Sequence, residues 1–247
     1  TPHSSALMKE LLAEVFNENE IAVIEGGKDT STELLALPFN HIFFTGAPSI
    51  GKIVMQAAAK NLTSVTLELG GKSPTIVDET ADIDMAARRI AWGKCLNNGQ
   101  VCIAPDYVFV HESKKSEFVE AVNKYIKKFY TENVSEESSY ARIVNGHHFN
   151  RVKGYIDDAV SKGATIESAG KIDGTQNFIP PTVMTNVSKE STLMTNEIFG
   201  PVMPIFSFNS LDEVISEVNS REIPLALYIY SKNNKNINYI LENTRAG

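Results

Sequence analysis

The sequence predicts an α/β protein built on a doubly wound sheet. Short apolar runs rich in Ile, Val and Phe alternate with stretches of helical period, and no internal repeat or low-complexity tract interrupts the pattern. Three of these runs, joined by predicted helices, lie within the first 70 residues, as in part of such a sheet. Beyond Gly71 the elements lengthen, so we expect two domains, 1–70 and 71–247.

The N-terminal domain is predicted to contain three helices and three strands. Leu7, Leu11 and Val15 have helical spacing, and Thr30 with Glu33 forms a capping box that begins a second helix. The predicted elements in chain order are a helix (5–16), a strand (21–24), the short helix at the capping box, a strand (41–44), a helix (50–60) and a strand (65–69).

The C-terminal domain is predicted to alternate in the same way. Its helices are expected at 82–96, 114–130, 148–162 and 211–219, and its strands at 107–110, 202–208 and 225–230. Residues 163–181 are punctuated by Gly and Pro, which predicts an irregular stretch. The last residues, 241–247, are predicted to be a helix that approaches Gly247 as its C-cap.

Composition argues against several classes of protein. Lys plus Arg number 23 against 30 Asp plus Glu, and the net charge of −7 is spread along the chain, which argues against a nucleic-acid binder. No apolar run approaches the ~20 residues that cross a bilayer, and the N-terminus lacks a signal peptide's features. The two cysteines lack zinc-ligand spacing, so we expect no metal site and a reducing, cytoplasmic location. Both ends look cut, which predicts an internal fragment.

A glycine-containing turn joins the strand at 41–44 to the following helix. It runs from Thr45 and Gly46 to Gly51, and the free N–H groups of the helix start favour a phosphate group there. The turn nearly matches a P-loop, but Ile53 stands where that motif needs Ser or Thr to bind magnesium. A P-loop nucleotide hydrolase is therefore the weaker hypothesis, and a plain tight turn is the other alternative.

Glu68 lies within an otherwise apolar strand and is followed by Leu69, Gly70 and Gly71. An ionised carboxylate is costly to desolvate in such surroundings, which suits a general base that works near neutral pH. An ion pair with Lys72 explains the residue equally well.

Cys102 follows an irregular turn that contains Gly99 and leaves backbone N–H groups free beside the thiol. Such groups stabilise a thiolate and hold an oxyanion, so Cys102 is a candidate nucleophile. A buried, inert cysteine is the commoner fate of a free thiol, and we expect it for Cys95, which lies within the predicted helix.

A loop that ends in a Gly-Pro pair carries Glu197 and Phe199. Since this pair cannot continue a helix, both side chains can face a ligand, and a surface turn is the alternative. His147 and His148 adjoin at a predicted helix start and point in different directions, which argues against joint metal binding.

Taken together and in this order, these segments resemble the aldehyde dehydrogenase superfamily. The shared segments are Phe44-Thr45-Gly46 with Gly51, Leu67 to Pro74, Gly99 to Cys102, and Glu197 to Pro201. The separation of 34 residues between Glu68 and Cys102 (102 minus 68) is also that between the family's base and its nucleophile. Residues 88–94, 102–107 and 224–228 are similar to the class 3 branch, which acts on fatty and aromatic aldehydes.

The resemblance implies part of a Rossmann-like NAD-binding domain followed by an α/β catalytic domain. It also implies the oxidation of an aldehyde to a carboxylic acid with NAD or NADP. Cys102 is then the nucleophile, which forms a thiohemiacetal and a thioester, and Glu68 is the general base. The cofactor contacts that the resemblance implies are Thr45, Gly46, Gly51, Leu69, Gly70, Glu197 and Phe199.

The implied partners are a medium- or long-chain aliphatic or aromatic aldehyde and, for the full-length protein, a second copy in a homodimer. The resemblance also places an oxyanion-holding asparagine and a ribose-contacting lysine upstream of Thr1. This chain alone is therefore expected to be poorly active or inactive. A catalytically silent scaffold of the same fold is the alternative from a different class.

Overall fold

The computed structural model describes residues 1–131 and 133–247. The chain divides into two compact units, Thr1–Leu69 and Gly70–Gly247. The assignment of these units as a cofactor domain and a catalytic domain stays a prediction.

The first unit contains helices and a two-stranded parallel sheet. Its elements are α1 (Pro2–Val15), α2 (Lys28–Leu35), β1 (His41–Gly46), α3 (Pro48–Ala59) and β2 (Ser64–Leu69). β1 pairs with β2 from His41 opposite Ser64 to Gly46 opposite Leu69, and α3 connects the two strands. The unit is therefore built around one βαβ motif, which is the local arrangement that the glycine turn predicts.

Two predictions for this unit are wrong. The apolar run 21–24 forms no strand, because a strand needs a hydrogen-bonding neighbour and none of the strands in the described ranges pairs with it. Helix α2 begins at Lys28 with Gly27 as its N-cap, so Thr30 lies inside the helix and does not cap it.

The second unit contains one six-stranded sheet with helices around it. Its helices are α4 (Ile83–Cys95), α5 (Lys115–Tyr130), α6 (Gly146–Ser161), α7 (Thr192–Thr195), α8 (Leu211–Asn219) and α9 (Asn234–Asn243). Its strands are β3 (Pro74–Val77), β4 (Tyr107–His111), β5 (Thr165–Ser168), β6 (Thr182–Thr185), β7 (Val202–Phe208) and β8 (Tyr228–Tyr230). The strand order is β5-β6-β7-β4-β3-β8, and only the β5–β6 pair is antiparallel.

Both faces of this sheet are covered, which explains why its strands read as continuous apolar runs. On one face, Val108 and Val110 of β4 pack in a cluster with α4 and α5. On the other face, Tyr107 and Phe109 pack in a second cluster with α6 and α8. The alternation of side chains along β4 therefore separates two cores.

Three predictions for the second unit need correction. β5 forms inside the stretch predicted to be irregular, because it gains hydrogen bonds from β6 across a register shift. β8 is shorter than 225–230, since only Tyr228–Tyr230 faces β3. α9 ends at Asn243 with Thr244 as its C-cap, and the N–H of Gly247 donates to the carbonyl of Pro224. Gly247 is therefore not a helix cap.

Two features are absent from the described ranges, 1–131 and 133–247. No helix there is long and apolar enough to cross a membrane. No group of three or more His, Cys, Asp or Glu side chains in those ranges could hold a metal ion.

The parallel strands of the second unit bring four loops to one edge of the sheet. The segments 70–73, 96–106, 196–201 and 224–227 lead into β3, β4, β7 and β8, respectively. Since these strands are mutually parallel, their amino ends meet at the same edge. This amino edge therefore collects Gly70, Cys102, Glu197 and Phe199.

Candidate functional site

The turn before Cys102 has an uncommon backbone. After α4 ends, Asn97, Asn98 and Gly99 have φ angles of 48°, 58° and 71°, all in the left-handed region. Asn and Gly are the residues that adopt this region at least cost, which is why this sequence can form the turn. A Cβ atom at Gly99 would also collide with the carbonyl oxygen of Gly200, so only glycine fits there.

This turn places Cys102 half-buried in a short irregular segment. The N–H of Ala104 donates to the carbonyl of Val101 at 2.9 Å, and the hydroxyl of Tyr228 donates to the carbonyl of Ile103 at 2.5 Å. Among the described residues of the second unit, nothing accepts a hydrogen bond from the N–H groups of Cys102 or Ile103. Two donors beside the thiol are therefore available to a ligand.

Cys95 has the opposite surroundings. It is the last residue of α4, slightly beyond the mid-helix position that the sequence indicated, and 3% of its surface is exposed. Burial raises the pKa of its thiol to about 12, which the charge of Lys94 only partly opposes. A thiol with that pKa stays protonated at neutral pH and is a poor nucleophile.

The loop that carries Glu197 is held to the segment after Cys102. Asp106 accepts a hydrogen bond from the N–H of Ile198 at 2.8 Å and forms an ion pair with Lys72. The ammonium group of Lys72 also donates to the carbonyls of Leu193 at 2.6 Å and Asn196 at 2.9 Å. Lys72 therefore has Asp106 as its partner in a buried ion pair.

Arg151 of α6 holds the same loop from the other side. Its guanidinium donates to the carbonyls of Glu197 at 3.2 Å, Ile198 at 3.0 Å and Phe199 at 3.4 Å. Phe199 has a φ of 43°, and 37% of its surface is exposed. A φ of 43° is unfavourable for phenylalanine. Because three neighbouring carbonyls accept from one guanidinium, the loop is held in this conformation.

The carboxyl group of Glu197 lies against Gly70. A Cβ atom at Gly70 would collide with both carboxylate oxygens, and the N–H of Gly71 donates a hydrogen bond to that carboxylate. Burial, followed by the negative charge of Asp106, raises the pKa of Glu197 to about 7. Arg151 and Lys72 partly oppose this rise. Glu197 therefore changes charge near neutral pH.

Sequence reasoning did not single out Asp106, Arg151 or Lys94. Lys94 is 1% exposed, and burial lowers its pKa to about 8, although the charges of Asp106 and Glu197 oppose the change. One available signal was its spacing, because Lys94 falls on the same helical face as the buried Ile83 and Ala87. The contacts of Asp106 and Arg151 join distant segments, and no local pattern indicates them.

In the first unit, the candidate residues lie where β1 and β2 end and α3 begins. Thr45 is opposite Glu68, and Gly46 is opposite Leu69. A Cβ atom at Gly51 would approach a methyl carbon of Leu69 to 2.8 Å, so this glycine permits close packing of α3 on the sheet. α3 starts at Pro48 after Ala47, which gives no side-chain cap, and the N–H groups of Ile50 and Gly51 both donate to the carbonyl of Ala47 at 3.0 Å. Because Pro48 has no N–H, Ser49 is the residue of this first turn whose N–H has no partner among the described residues.

Glu68 differs from its expected surroundings. β2 alternates between exposed and half-buried residues, and Glu68 lies on the exposed side with Thr66, while Leu67 and Leu69 are half-buried. The expectation of a carboxylate desolvated by its own strand is therefore wrong. The prediction failed because side chains alternate between the two sides of a strand. Glu68 therefore lies on the side opposite to its apolar neighbours Leu67 and Leu69.

The candidate residues are divided between the two units. The first unit contains Thr45, Gly46, Gly51, Glu68 and Leu69. The second unit contains Gly70, Cys102, Glu197 and Phe199.

The fold and these sites define an α/β protein with a glycine-turn βαβ motif and a thiol beside free backbone N–H groups. The sequence profile described as the Aldehyde dehydrogenase family matches residues 1–247, so the chain belongs to that family.

Individual relatives agree with this assignment. The chain is 46% identical over 245 residues to the dimeric, NADP-preferring aldehyde dehydrogenase of Rattus norvegicus, covering 99% of this chain and 53% of the relative. It is 45% identical over 232 residues to the 4,4'-diaponeurosporen-aldehyde dehydrogenase of Staphylococcus aureus, covering 94% of this chain and 50% of the relative. The chain thus spans about half the length of the curated relatives that it matches.

A solved structure shows the same fold. It is the substrate-bound state of Staphylococcus aureus AldH, which superimposes with a TM-score of 0.92 at 42% sequence identity. The match covers 98% of this chain and 52% of that chain. The predicted α/β class is therefore confirmed.

Proposed function

We propose that the protein to which this chain belongs oxidises aldehydes to carboxylic acids, with NAD or NADP as the hydride acceptor. The observation that carries this proposal is the half-buried thiol of Cys102 beside the free N–H groups of Cys102 and Ile103. A nucleophile and two oxyanion donors are what attack on a carbonyl carbon requires. Family membership supports this chemistry in preference to other uses of a reactive thiol.

The residues present suit a nicotinamide dinucleotide. The start of α3, beside Gly46 and Gly51, offers the N–H of Ser49 and the helix dipole to a phosphate. The Glu197 carboxylate fills the space beside Gly70 that a Cβ would occupy, and it is a good acceptor for ribose hydroxyls when it is ionised. A bound nicotinamide ring supplies the acceptor for a hydride.

The residues of this chain then perform the covalent steps. The thiolate of Cys102 forms a bond to the aldehyde carbon, and the carbonyl electron pair moves to oxygen, where the free N–H groups hold it. The hydrogen on that carbon leaves with its electron pair, which oxidises the thiohemiacetal to a thioester. Glu68 takes a proton from water, the resulting hydroxide adds to the thioester, and the carbon–sulfur bond breaks. The products are a carboxylic acid and the regenerated thiolate.

The finer features of this function are also proposals. The relative from Rattus norvegicus is named as dimeric, which supports a homodimer for the complete protein. The resemblance of residues 88–94, 102–107 and 224–228 to the class 3 branch supports a medium- or long-chain aliphatic or aromatic aldehyde as substrate. Both thiols are free, which suits a reducing compartment such as the cytoplasm.

The test is the substitution Glu68→Gln in a complete subunit that contains this chain. Removing the base should slow thioester hydrolysis by about 100-fold or more, but leave hydride transfer nearly unchanged. Rapid mixing should then show a burst of NADH followed by slow turnover. The matched control is Glu33→Gln, an exposed glutamate of α2, which should turn over like the wild type. Unchanged steady-state turnover in Glu68→Gln, with a substrate limited by deacylation, would contradict the role of Glu68.

A further inference from the structure

The residue between the left-handed turn and Cys102 makes an unusual set of contacts. The side-chain N–H₂ of Gln100 donates to the carbonyls of Asn97 and Arg142, each at 3.0 Å. Its side-chain oxygen accepts a hydrogen bond from the N–H of Val144, also at 3.0 Å. Both ends of one amide are therefore used, and they join the turn to a segment more than 40 residues away.

The turn is also bonded within itself. The side chain of Asn97 donates to the carbonyl of Gln100 at 3.1 Å, and the backbone N–H of Gln100 donates to the carbonyl of Asn97 at 3.1 Å. Asn97 and Gln100 are thus joined reciprocally across the left-handed residues Asn98 and Gly99. Because left-handed backbone is unfavourable even for asparagine, the turn persists only where such contacts maintain it.

The segment that receives Gln100 is itself firmly held. Ile143 is 2% exposed, and its N–H donates to the carbonyl of Asn177 at 3.1 Å. Arg142 donates to the carbonyls of Tyr140 at 2.9 Å and Ser135 at 2.7 Å. Since this segment is anchored to the core, Gln100 connects the turn to a part of the chain that is held by its own contacts.

We propose that Gln100 is a positioning residue for Cys102, because its side-chain amide holds the turn 97–99 against residues 142–144 and thereby sets where the thiol and the two free N–H groups lie. This inference rests on the proposed function of Cys102 as the nucleophile. Gln100 touches neither the substrate nor the reacting atoms in this scheme, and its effect passes through the backbone of residues 100–102.

The test compares the alkylation of Cys102 by iodoacetamide in variants of this chain, with the modified site located by mass spectrometry. Gln100→Met preserves the length of the side chain but removes all three hydrogen bonds. It should slow the alkylation of Cys102 by about tenfold near neutral pH, because the thiolate loses its place beside the free N–H groups. The pH dependence of the rate should also shift, and the difference should shrink at high pH, where ionisation no longer limits the reaction.

A matched control separates positioning from general destabilisation. Asp78, at the opposite end of β3, accepts hydrogen bonds from Thr80, Ser231 and Asn236. Asp78→Ala also removes a buried set of polar contacts. It should leave the alkylation rate of Cys102 within about twofold of the wild-type rate and should not change how that rate varies with pH. An equal slowing in this control would show that Gln100 acts only through stability and would overturn the proposal.

The remaining outcomes are also decisive. If Cys102 of the wild-type chain reacts no faster than Cys95, the proposed function fails at its nucleophile and this inference fails with it. If wild-type Cys102 reacts rapidly and Gln100→Met matches its rate and pH dependence, only the role of Gln100 is overturned. Should the Met variant fail to fold, Gln100→Asn serves instead, since its shorter amide cannot bridge Asn97 and Arg142 together. Wild-type behaviour of the Asn variant would contradict the proposal.

Discussion

The two cysteines lie seven residues apart, yet the structure gives them opposite surroundings. Cys95 ends a helix whose face is buried against the core, and its pKa is raised to about 12. Cys102 lies beyond three left-handed residues, half-buried and beside two free N–H groups. The two side chains are identical, so the difference comes from the backbone around them. The conformation of that backbone decides which thiol is available for chemistry.

Alkylation should show the largest difference between the two cysteines. At pH 8, a thiol with a pKa of about 12 is ionised roughly 10³-fold less than an ordinary thiol, and burial also excludes the reagent. Iodoacetamide should therefore modify Cys95 about 10³-fold more slowly than an exposed reference thiol, and Cys102 should react much faster than Cys95 in the folded chain. Mass spectrometry of timed samples measures both rates. In denaturing urea the two rates should become similar, and faster modification of Cys95 in the folded chain would remove the support for Cys102.

The turn that separates the cysteines can be broken at Gly99. Gly99→Ala should destabilise the chain by about 2–4 kcal/mol, because a side chain there is strained at a φ of 71° and meets the carbonyl of Gly200. Urea unfolding measures the change. Gly154→Ala is the matched control, since nothing lies within 4 Å of its Cβ in helix α6, and it should stabilise by about 0.5–1 kcal/mol. Equal effects of the two variants would mean that the turn is not constrained.

The two thiols should also differ when each is replaced by serine. Cys95→Ser buries a hydroxyl in an apolar place and should cost about 1–3 kcal/mol of unfolding free energy. Cys102→Ser should cost less than about 0.5 kcal/mol, because this side chain is half-buried in a polar turn. The measurement is thermal or urea unfolding of both variants under one set of conditions. A larger loss at Cys102 would reverse the comparison of their surroundings.

The smallest effect concerns the Glu197 loop, whose Gly200 carbonyl limits Gly99. The pKa of Glu197 in the folded chain, about 7, lies above its unfolded value of 4.5, so the folded state binds the extra proton between these pH values. The stability due to Glu197 is therefore full below pH 4.5 and is lost as the pH rises through 7. After allowance for solvent screening, Glu197→Gln should remove a decline on the order of 1 kcal/mol between pH 5 and 8. Urea unfolding of both proteins at a series of pH values measures it, and parallel curves would show that the pKa is not raised.

Much of the candidate site could be recognised from local sequence. Asn97, Asn98 and Gly99 tolerate left-handed backbone, so a turn before Cys102 was predictable. The glycine turn after β1 was predictable for a different reason, because its glycines lie where an apolar strand passes into a stretch of helical period. The surroundings of Glu68 could not be predicted in this way. An apolar stretch of sequence does not reveal which side of the sheet a residue faces.

The sequence alone determined the α/β class, the positions of most helices and strands, and the family, because these depend on local periodicity and on motifs in order. Only the tertiary structure decided that Lys72 pairs with Asp106, that Arg151 holds the Glu197 loop, and that Gln100 joins residues 142–144. The tertiary structure also decided that the apolar run 21–24 forms no strand, because none of the described strands pairs with it. The physical reason is common to all four: hydrogen bonds and ion pairs form between segments distant in sequence, and burial or pairing there depends on parts of the chain that no local pattern contains.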